Sequence, residues 1–290
     1  MENAKKDIIN VLMIGNSYCY YYVEELYEMA KAAGISMRVC NVYYPGCPLE
    51  KHYNWWKNKE SNYKYFEMFG ESKVKTAPVD LEWCLAQQDW DVISLQLGGV
   101  TMRSYSAAEA LDVTRTYREE LYGYLKQRFP KARHLFQQTW TFEIGHKKPD
   151  GFVMKDRAQQ IAYTENIRQM GIGICRENKV ECVNTGDAWE IYREFCEKNG
   201  IAHNLCARLG VAAGDDPHGG DGTHDGDIGG GQYLNACVWF EILTGIDCRS
   251  NSYVPRYTYN GEEYGFLDGV TAKDLQDAAH RAVLQLKERS

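Results

Sequence analysis

Closely spaced sulfur ligands are missing from this chain. Its ten cysteines are scattered singly through 290 residues, with no C-x-x-C pair and no tight cluster. That removes the spacing of a zinc site or of a secreted disulfide framework. Cysteines spread this way read as reduced, mostly buried thiols and point to the cytosol. No stretch rich in Pro, Gly or Ser marks a linker, and no internal repeat or low-complexity tract is present. No apolar run is long enough to span a membrane; the run Ile8–Ile14 is short and contains Asn10. Met1–Asp7 is polar and charged and lacks the apolar core of a signal peptide, which again points to the cytoplasm; a cleaved signal would instead send the protein out of the cell. A basic excess is lacking too: 33 Lys and Arg stand against 40 Asp and Glu, a net charge of −7, which disfavours a nucleic-acid partner.

Aromatic residues are plentiful, with 21 Tyr and 7 Trp. Core and interface packing is the simpler explanation; a platform for a carbohydrate or aryl group is the sharper one. The length is within reach of a single α/β domain with insertions, and the core is large enough to need no disulfide or metal for folding.

Several short apolar runs have the look of parallel strands buried on both faces: Ile8–Ile14, Met37–Val42, Asp91–Leu97, Arg133–Gln137 and Val180–Asn184. Helical periodicity fills the intervals at Glu24–Ala33, Ala107–Phe129, Asp156–Asn178 and Ala188–Asn199, and continues in Gln232–Thr244 and Ala272–Glu288. This alternation predicts a doubly wound sheet covered by helices, whose ligands sit beyond the carboxyl ends of the strands. Pro48–Pro78 breaks the alternation with many aromatic residues among Lys, Asn and Glu. It is expected to be an insertion with short helices at the sheet's edge, serving as a lid or an oligomer contact.

Three segments could carry chemistry. Gly15-Asn16-Ser17-Tyr18 follows the first strand, so Ser17 is expected at the top of the sheet near a helix N-terminus, where backbone N–H groups can stabilise developing negative charge. Taken alone, a capping or turn serine explains the tetrapeptide more simply. Asp221-Gly222-Thr223-His224 lies late in the chain, before the helix Gln232–Thr244. Serine needs a base, usually histidine, and the histidine needs a carboxylate to fix its tautomer. The neighbouring Asp215, Asp216, Asp225 and Asp227 read otherwise as solvated surface charges. Together with His218 or His224 they could form a divalent-metal loop over residues 215–227, though the spacing matches no standard metal loop. The third segment is Gly46, directly after the second strand, where a glycine can bring a bare backbone N–H to a ligand.

In this order the segments resemble the SGNH (GDSL-like) hydrolase superfamily, and most nearly a bacterial branch whose nucleophile block reads G-N-S. Gly46-Cys47-Pro48-Leu49-Glu50-Lys51-His52, Trp90–Gln96, Gln137-Gln138-Thr139-Trp140 and Gly231–Gly245 are similar to segments of that branch, so the likeness runs from about Val11 to Gly245. The resemblance implies a single flavodoxin-like three-layer α/β/α domain over residues 1–290 with a five-stranded parallel sheet. It implies a serine esterase acting on small acyl, chiefly acetyl, esters on carbohydrates. Ser17 would be the nucleophile, His224 the base and Asp221 its orienting partner. The N–H groups of Ser17 and Gly46 would be oxyanion donors, with Tyr18 and Trp140 on the substrate side. Where the superfamily carries an Asn as third donor, this chain reads Gly98-Gly99-Val100-Thr101. The Gln96 amide could substitute, or strand alternation could turn it into the core. No cofactor and no metal are implied, and the partner is a small-molecule or carbohydrate ester. Membrane and nucleic acid are not expected partners, and self-association is left open. Two rivals remain: a weak or inactive carbohydrate-binding protein of the same fold, and a metal-dependent hydrolase built on the Asp-rich loop.

Overall fold

The computed structural model describes residues 8–70, 72–210 and 221–289. The first strand, β1 (Ile9–Gly15), is buried from Asn10 onward. A 3-10 turn at Ser17–Cys19 leads into α1 (Val23–Ala32), and then come β2 (Met37–Tyr43) and α2 (Leu49–Asn58). An antiparallel hairpin follows, β3 (Tyr63–Phe69) and β4 (Ser72–Val79), then α3 (Leu81–Leu85) and β5 (Val92–Gln96). Three helices come next: α4 (Gly99–Ser104), α5 (Ala107–Val113) and α6 (Arg115–Arg128). β6 (Arg133–Gln138) is separated by an irregular segment from α7 (Arg157–Asn178), which returns through β7 (Glu181–Asn184) to α8 (Thr185–Asn199). The last part holds α9 (Gly231–Thr244), a small hairpin of β8 (Tyr257–Tyr259) and β9 (Glu262–Tyr264), and α10 (Ala272–Arg289).

The main sheet has the order β4-β3-β2-β1-β5-β6-β7. β2, β1, β5, β6 and β7 run parallel. Numbered among themselves, these strands have the order 2-1-3-4-5, the flavodoxin-like pattern. The expected five strands are therefore present, but the sheet is mixed and has seven. The segment 48–78 accounts for the difference: besides α2 it supplies β3, which pairs antiparallel with β2, and β4, which pairs antiparallel with β3, and the two extend the sheet. Helices cover both faces. α1, α8, α9 and α10 pack on one another, and α5 and α6 pack with α7. α9 is buried almost all round, as its Tyr233–Phe240 run requires.

The long helix expected over Ala107–Phe129 is two helices that meet at Thr114. Thr114 turns its hydroxyl back onto the Ala110 carbonyl at 2.6 Å and also accepts from Arg118 Nε at 3.0 Å. Such back-bonding competes with the helical ladder and bends it. No helix among the described residues is long and apolar enough to cross a membrane.

Candidate functional site

Gly15 ends β1 because of what stands beside it. A Cβ there would come within 2.3 Å of Gln96 Nε2, so only glycine lets the end of β5 approach the end of β1. Gln96 Nε2 donates to Asn16 Oδ1 at 2.8 Å. The same oxygen accepts from the Tyr18 N–H at 3.1 Å, and Asn16 Nδ2 donates to the Cys47 carbonyl at 3.1 Å. Asn16 thus ties three strand ends together and caps the 3-10 turn that carries Ser17. The helix proper begins only at Val23.

Asp221 and His224 meet as a pair: His224 Nδ1 is hydrogen-bonded to Asp221 Oδ2, and Asp221 Oδ1 accepts from the N–H groups of Thr223 at 2.9 Å and His224 at 2.8 Å. Burial alone would raise the Asp221 carboxyl. The hydrogen bond and charge of His224, with the two backbone donors, override this and hold it well below the usual carboxylate range. Ser17, Gly46 and His224 line one cleft of about 330 Å³ together with Tyr18, Tyr21 and Gly99. The Ser17 and Gly46 N–H groups donate to no acceptor among the described residues. Gly46 has φ +61°, a conformation glycine adopts without strain. The Ser17 hydroxyl makes no hydrogen bond with His224.

The other sequence candidates sit around this cleft in different ways. Tyr18 lines it; its ring packs edge-on against Trp140 at 4.8 Å, and its buried hydroxyl has no partner among the described residues. Trp140 is a support rather than a wall. It is buried, stacks on Trp189 at 4.8 Å and donates Nε1 to the Thr223 carbonyl at 2.9 Å, inside the segment that carries His224. Gln96 is buried behind Asn16, its amide nitrogen occupied there.

The acidic surroundings of His224 are not all solvated charges. Asp225 is fully buried and accepts from Asn235 Nδ2 at 3.1 Å, and burial pushes its carboxyl up to about 7. Asp227 accepts from the Leu209 N–H at 3.0 Å and from the Ile228 N–H at 2.6 Å. Asp221, Asp225 and Asp227 thus serve separate partners. Among the described residues, the acids and imidazole near enough to share an ion are Glu241, Asp247 and His280, outside that loop. Asp215, Asp216 and His218 lie outside the described residues.

The family described as a domain of unknown function, DUF4886, matches residues 10–182. The chain belongs to the DUF4886 family. Its fold recurs in the crystal structure of a DUF4886 family protein from Bacteroides uniformis, at 27% identity and TM-score 0.73, over 96% of this chain and 95% of that one. Similarity to an acetyl xylan esterase is lower, at 11% identity and TM-score 0.48 over 81% and 100% of the two chains. For a GDSL-like lipase from Parabacteroides merdae the figures are 15% and 0.48, over 84% and 98%. No curated protein matches this sequence.

The match ends at residue 182, before Asp221 and His224, so in this DUF4886 chain their placement rests on contacts that sequence reasoning missed. Arg193 of α8 is buried and donates to Thr141 Oγ1 at 2.6 Å and Glu143 Oε1 at 2.9 Å. Glu143 in turn donates its N–H to the Gly222 carbonyl at 2.9 Å. Lys148 donates to Thr223 Oγ1 at 2.7 Å, and that hydroxyl also meets His146 Nε2 at 2.9 Å. Burial, then the Lys148 charge, lowers the His146 imidazole, so it stands neutral beside the lysine. Apart from Arg193, these residues fall in irregular chain, where no periodicity flags them. Glycines give a readable signal: a Cβ at Gly226, Gly229 or Gly231 would lie 2.0–2.3 Å from a carbonyl oxygen of Asn204, Leu205 or Ala207.

Proposed function

We propose that this protein is a serine esterase that hydrolyses small acyl esters, chiefly acetyl esters, with the alcohol part a carbohydrate. One observation carries the reading: His224, bonded to Asp221, and Ser17 line the same small cleft, where the N–H groups of Ser17 and Gly46 are left without acceptors among the described residues. Ser17 attacks the acyl carbonyl while His224 takes its proton through Nε2, the nitrogen not bound to Asp221. The carbonyl oxygen becomes an oxyanion facing the two N–H donors. As the tetrahedral intermediate collapses, His224 returns the proton to the leaving alcohol and the acyl group stays on Ser17. Water, deprotonated by His224, then releases the acid and restores Ser17. The direct contact between serine and histidine forms when substrate fills the cleft, since catalytic hydrogen bonds often tighten only in the bound complex. Asp221, held ionised, fixes the tautomer that leaves Nε2 free to accept.

The occupied amide of Gln96 favours a slow variant of this chemistry. Loss of one oxyanion donor costs about 100- to 1000-fold in kcat, and Gln96 Nε2 is bonded to Asn16. Hydrolysis of p-nitrophenyl acetate and acetylated xylose by the wild type, beside Ser17→Ala, tests the proposal. Turnover that disappears in the variant supports it. Turnover that survives Ser17→Ala but is removed by EDTA would transfer the chemistry to a metal.

A further inference from the structure

The cleft that holds Ser17 and His224 is unevenly charged. Arg103 of α4 and Lys148 line it, and among the described residues no carboxylate does. The chain as a whole carries a net charge of −7, so two cations beside the nucleophile reverse the sign locally. A cleft lined by one sign of charge concentrates ligands of the other. Phe142 is common to both cations: the Arg103 guanidinium carbon stands 5.9 Å from its ring centroid and Lys148 Nζ 4.8 Å. Burial, and then the Arg103 charge, lowers the Lys148 ammonium; Asp221 and Asp150 offset this in part.

Both side chains keep donors in reserve. Lys148 gives one N–H to Thr223 Oγ1 and forms no ion pair among the described residues. An ammonium has three donors, so two are left. Arg103 gives Nη2 to Asp150 Oδ2, while its Nη1 has no acceptor among the described residues. That nitrogen stands beside Gly99, which lines the cleft: a Cβ at Gly99 would lie 3.3 Å from it. Glycine there keeps space open in front of the guanidinium. Asp150 is half exposed, so its pair with Arg103 is a weak one. The charges favour a monoanion. Asp150 answers one cation and Asp221 is engaged with His224, which leaves one positive charge unmet. A carboxylate matches it, whereas a phosphate monoester brings about two negative charges at pH 7.

We propose that the alcohol part of the ester is an acidic sugar, a hexuronic acid, whose carboxylate is held by Arg103 and Lys148. Lys148 fixes the side of the cleft. It is bonded to Thr223, the neighbour of His224 in the chain, and His224 hands its proton to the leaving alcohol. The cleft of about 330 Å³ is at the lower end of small-ligand sites, about 300–1,000 Å³, which suits one sugar with its acetyl group rather than a long chain. The anion site stands on the two cations; its service as the alcohol subsite rests on the esterase reading.

Methyl glucuronoside and methyl glucoside test it, since they differ only by a carboxylate in place of a hydroxymethyl group and neither is an ester. Calorimetric titration of the wild type is expected to show the glucuronoside bound about tenfold more tightly or better, the scale of one charge-assisted hydrogen bond, with the preference shrinking at high salt. The acetyl esters of the same two glycosides carry the comparison into turnover. The kcat/KM for the acidic ester should exceed that for the neutral one about tenfold or more, through KM. Lys148→Met and Arg103→Met should each bring this ratio close to one, and Lys148→Arg should retain it. A merely structural loss lowers both esters alike and leaves the ratio as it was, which overturns the proposal. Equal binding of the two glycosides overturns it too, as does tighter binding of glucose 6-phosphate than of the glucuronoside. Thermal melts report whether Arg103→Met folds; if it does not, Lys148→Met carries the test. Preferential binding of the glucuronoside with no ester turned over leaves the anion site standing and removes the esterase. Turnover of both acetyl esters at equal kcat/KM does the reverse.

Discussion

Asp221 and Asp225 stand four residues apart and ionise in opposite senses, and each makes a prediction. Asp221 is held ionised by His224 and two backbone N–H groups. Asp221→Asn presents an amide to Nδ1 and favours the wrong tautomer. Ester hydrolysis is expected to fall by about 10⁴-fold, the size of loss seen when a serine-protease triad loses its carboxylate charge. His224→Ala and Ser17→Ala should each abolish nearly all turnover, and the double variant should be no worse, because the groups act as a unit. Initial rates with p-nitrophenyl acetate check both statements. Asp225 is buried, and its carboxyl is raised from an ordinary 3.8 to about 7. The unfolded chain therefore releases this proton first, the folded protein binds more protons between about pH 4 and 7, and stability falls as pH rises through that window. Above about 7 the loss is complete and amounts to at most about 4 kcal/mol. Asp225→Asn keeps an oxygen for Asn235 and carries no charge. It is expected to raise the melting temperature at pH 8 clearly more than at pH 5; equal shifts at both values would count against this account. The place of Ser17 after β1 and the contact of Asp221 with His224 were legible in the sequence because both are local: a serine after a strand, a carboxylate three residues before an imidazole. Asp225 was not, since nothing in Asp221–Asp227 says which aspartate turns inward. Asn235 decides that from the next helix.

The five parallel strands could be read from the sequence because each is a short apolar run covered on both faces. The hairpin β3–β4 could not. Its partly exposed strands mix Lys and Glu with aromatic residues, the period of two is broken by a register shift near Tyr63–Tyr65, and Pro78 sits inside β4. The break at Thr114 was hidden for a different reason: residues on both sides keep helical spacing, and only the Thr114 hydroxyl bond to Ala110 separates them. Among connecting segments, the one after His224 makes the sharpest prediction. Gly226 N–H donates to the Leu205 carbonyl at 2.8 Å, and a Cβ on Gly226 would lie 2.0 Å from the Ala207 oxygen. Backbone cannot yield as a flexible side chain can. Gly226→Ala is therefore expected to cost about 1–3 kcal/mol or more, and to lower kcat by displacing His224, which lies two residues away. A melting curve and a rate measurement on the same sample check this. Gly15→Ala meets a side chain, Gln96, so its destabilisation should shrink in the Gly15→Ala/Gln96→Ala double variant; simple addition of the two losses would show that the contact does not couple them.

At the scale of the whole molecule, the ten cysteines are free thiols, most of them buried. Burial raises several of them, Cys19, Cys40 and Cys47 each to about 12, so these thiols stay protonated and unreactive at neutral pH. Thiol titration is expected to find all ten in denaturant but few in the native protein, and a reducing agent should leave the melting temperature unchanged. The two ends of the main sheet have one more consequence. Among the described residues β4, at one end, pairs only with β3 and carries Lys75 and Pro78; β7, at the other, is four residues long. A lysine, a residue without an N–H and a very short strand are features that make an edge a poor template for another chain. The hairpin that widens the sheet thus also finishes it. The benefit falls during synthesis, when many half-folded copies share one crowded space and an open strand would invite them to join.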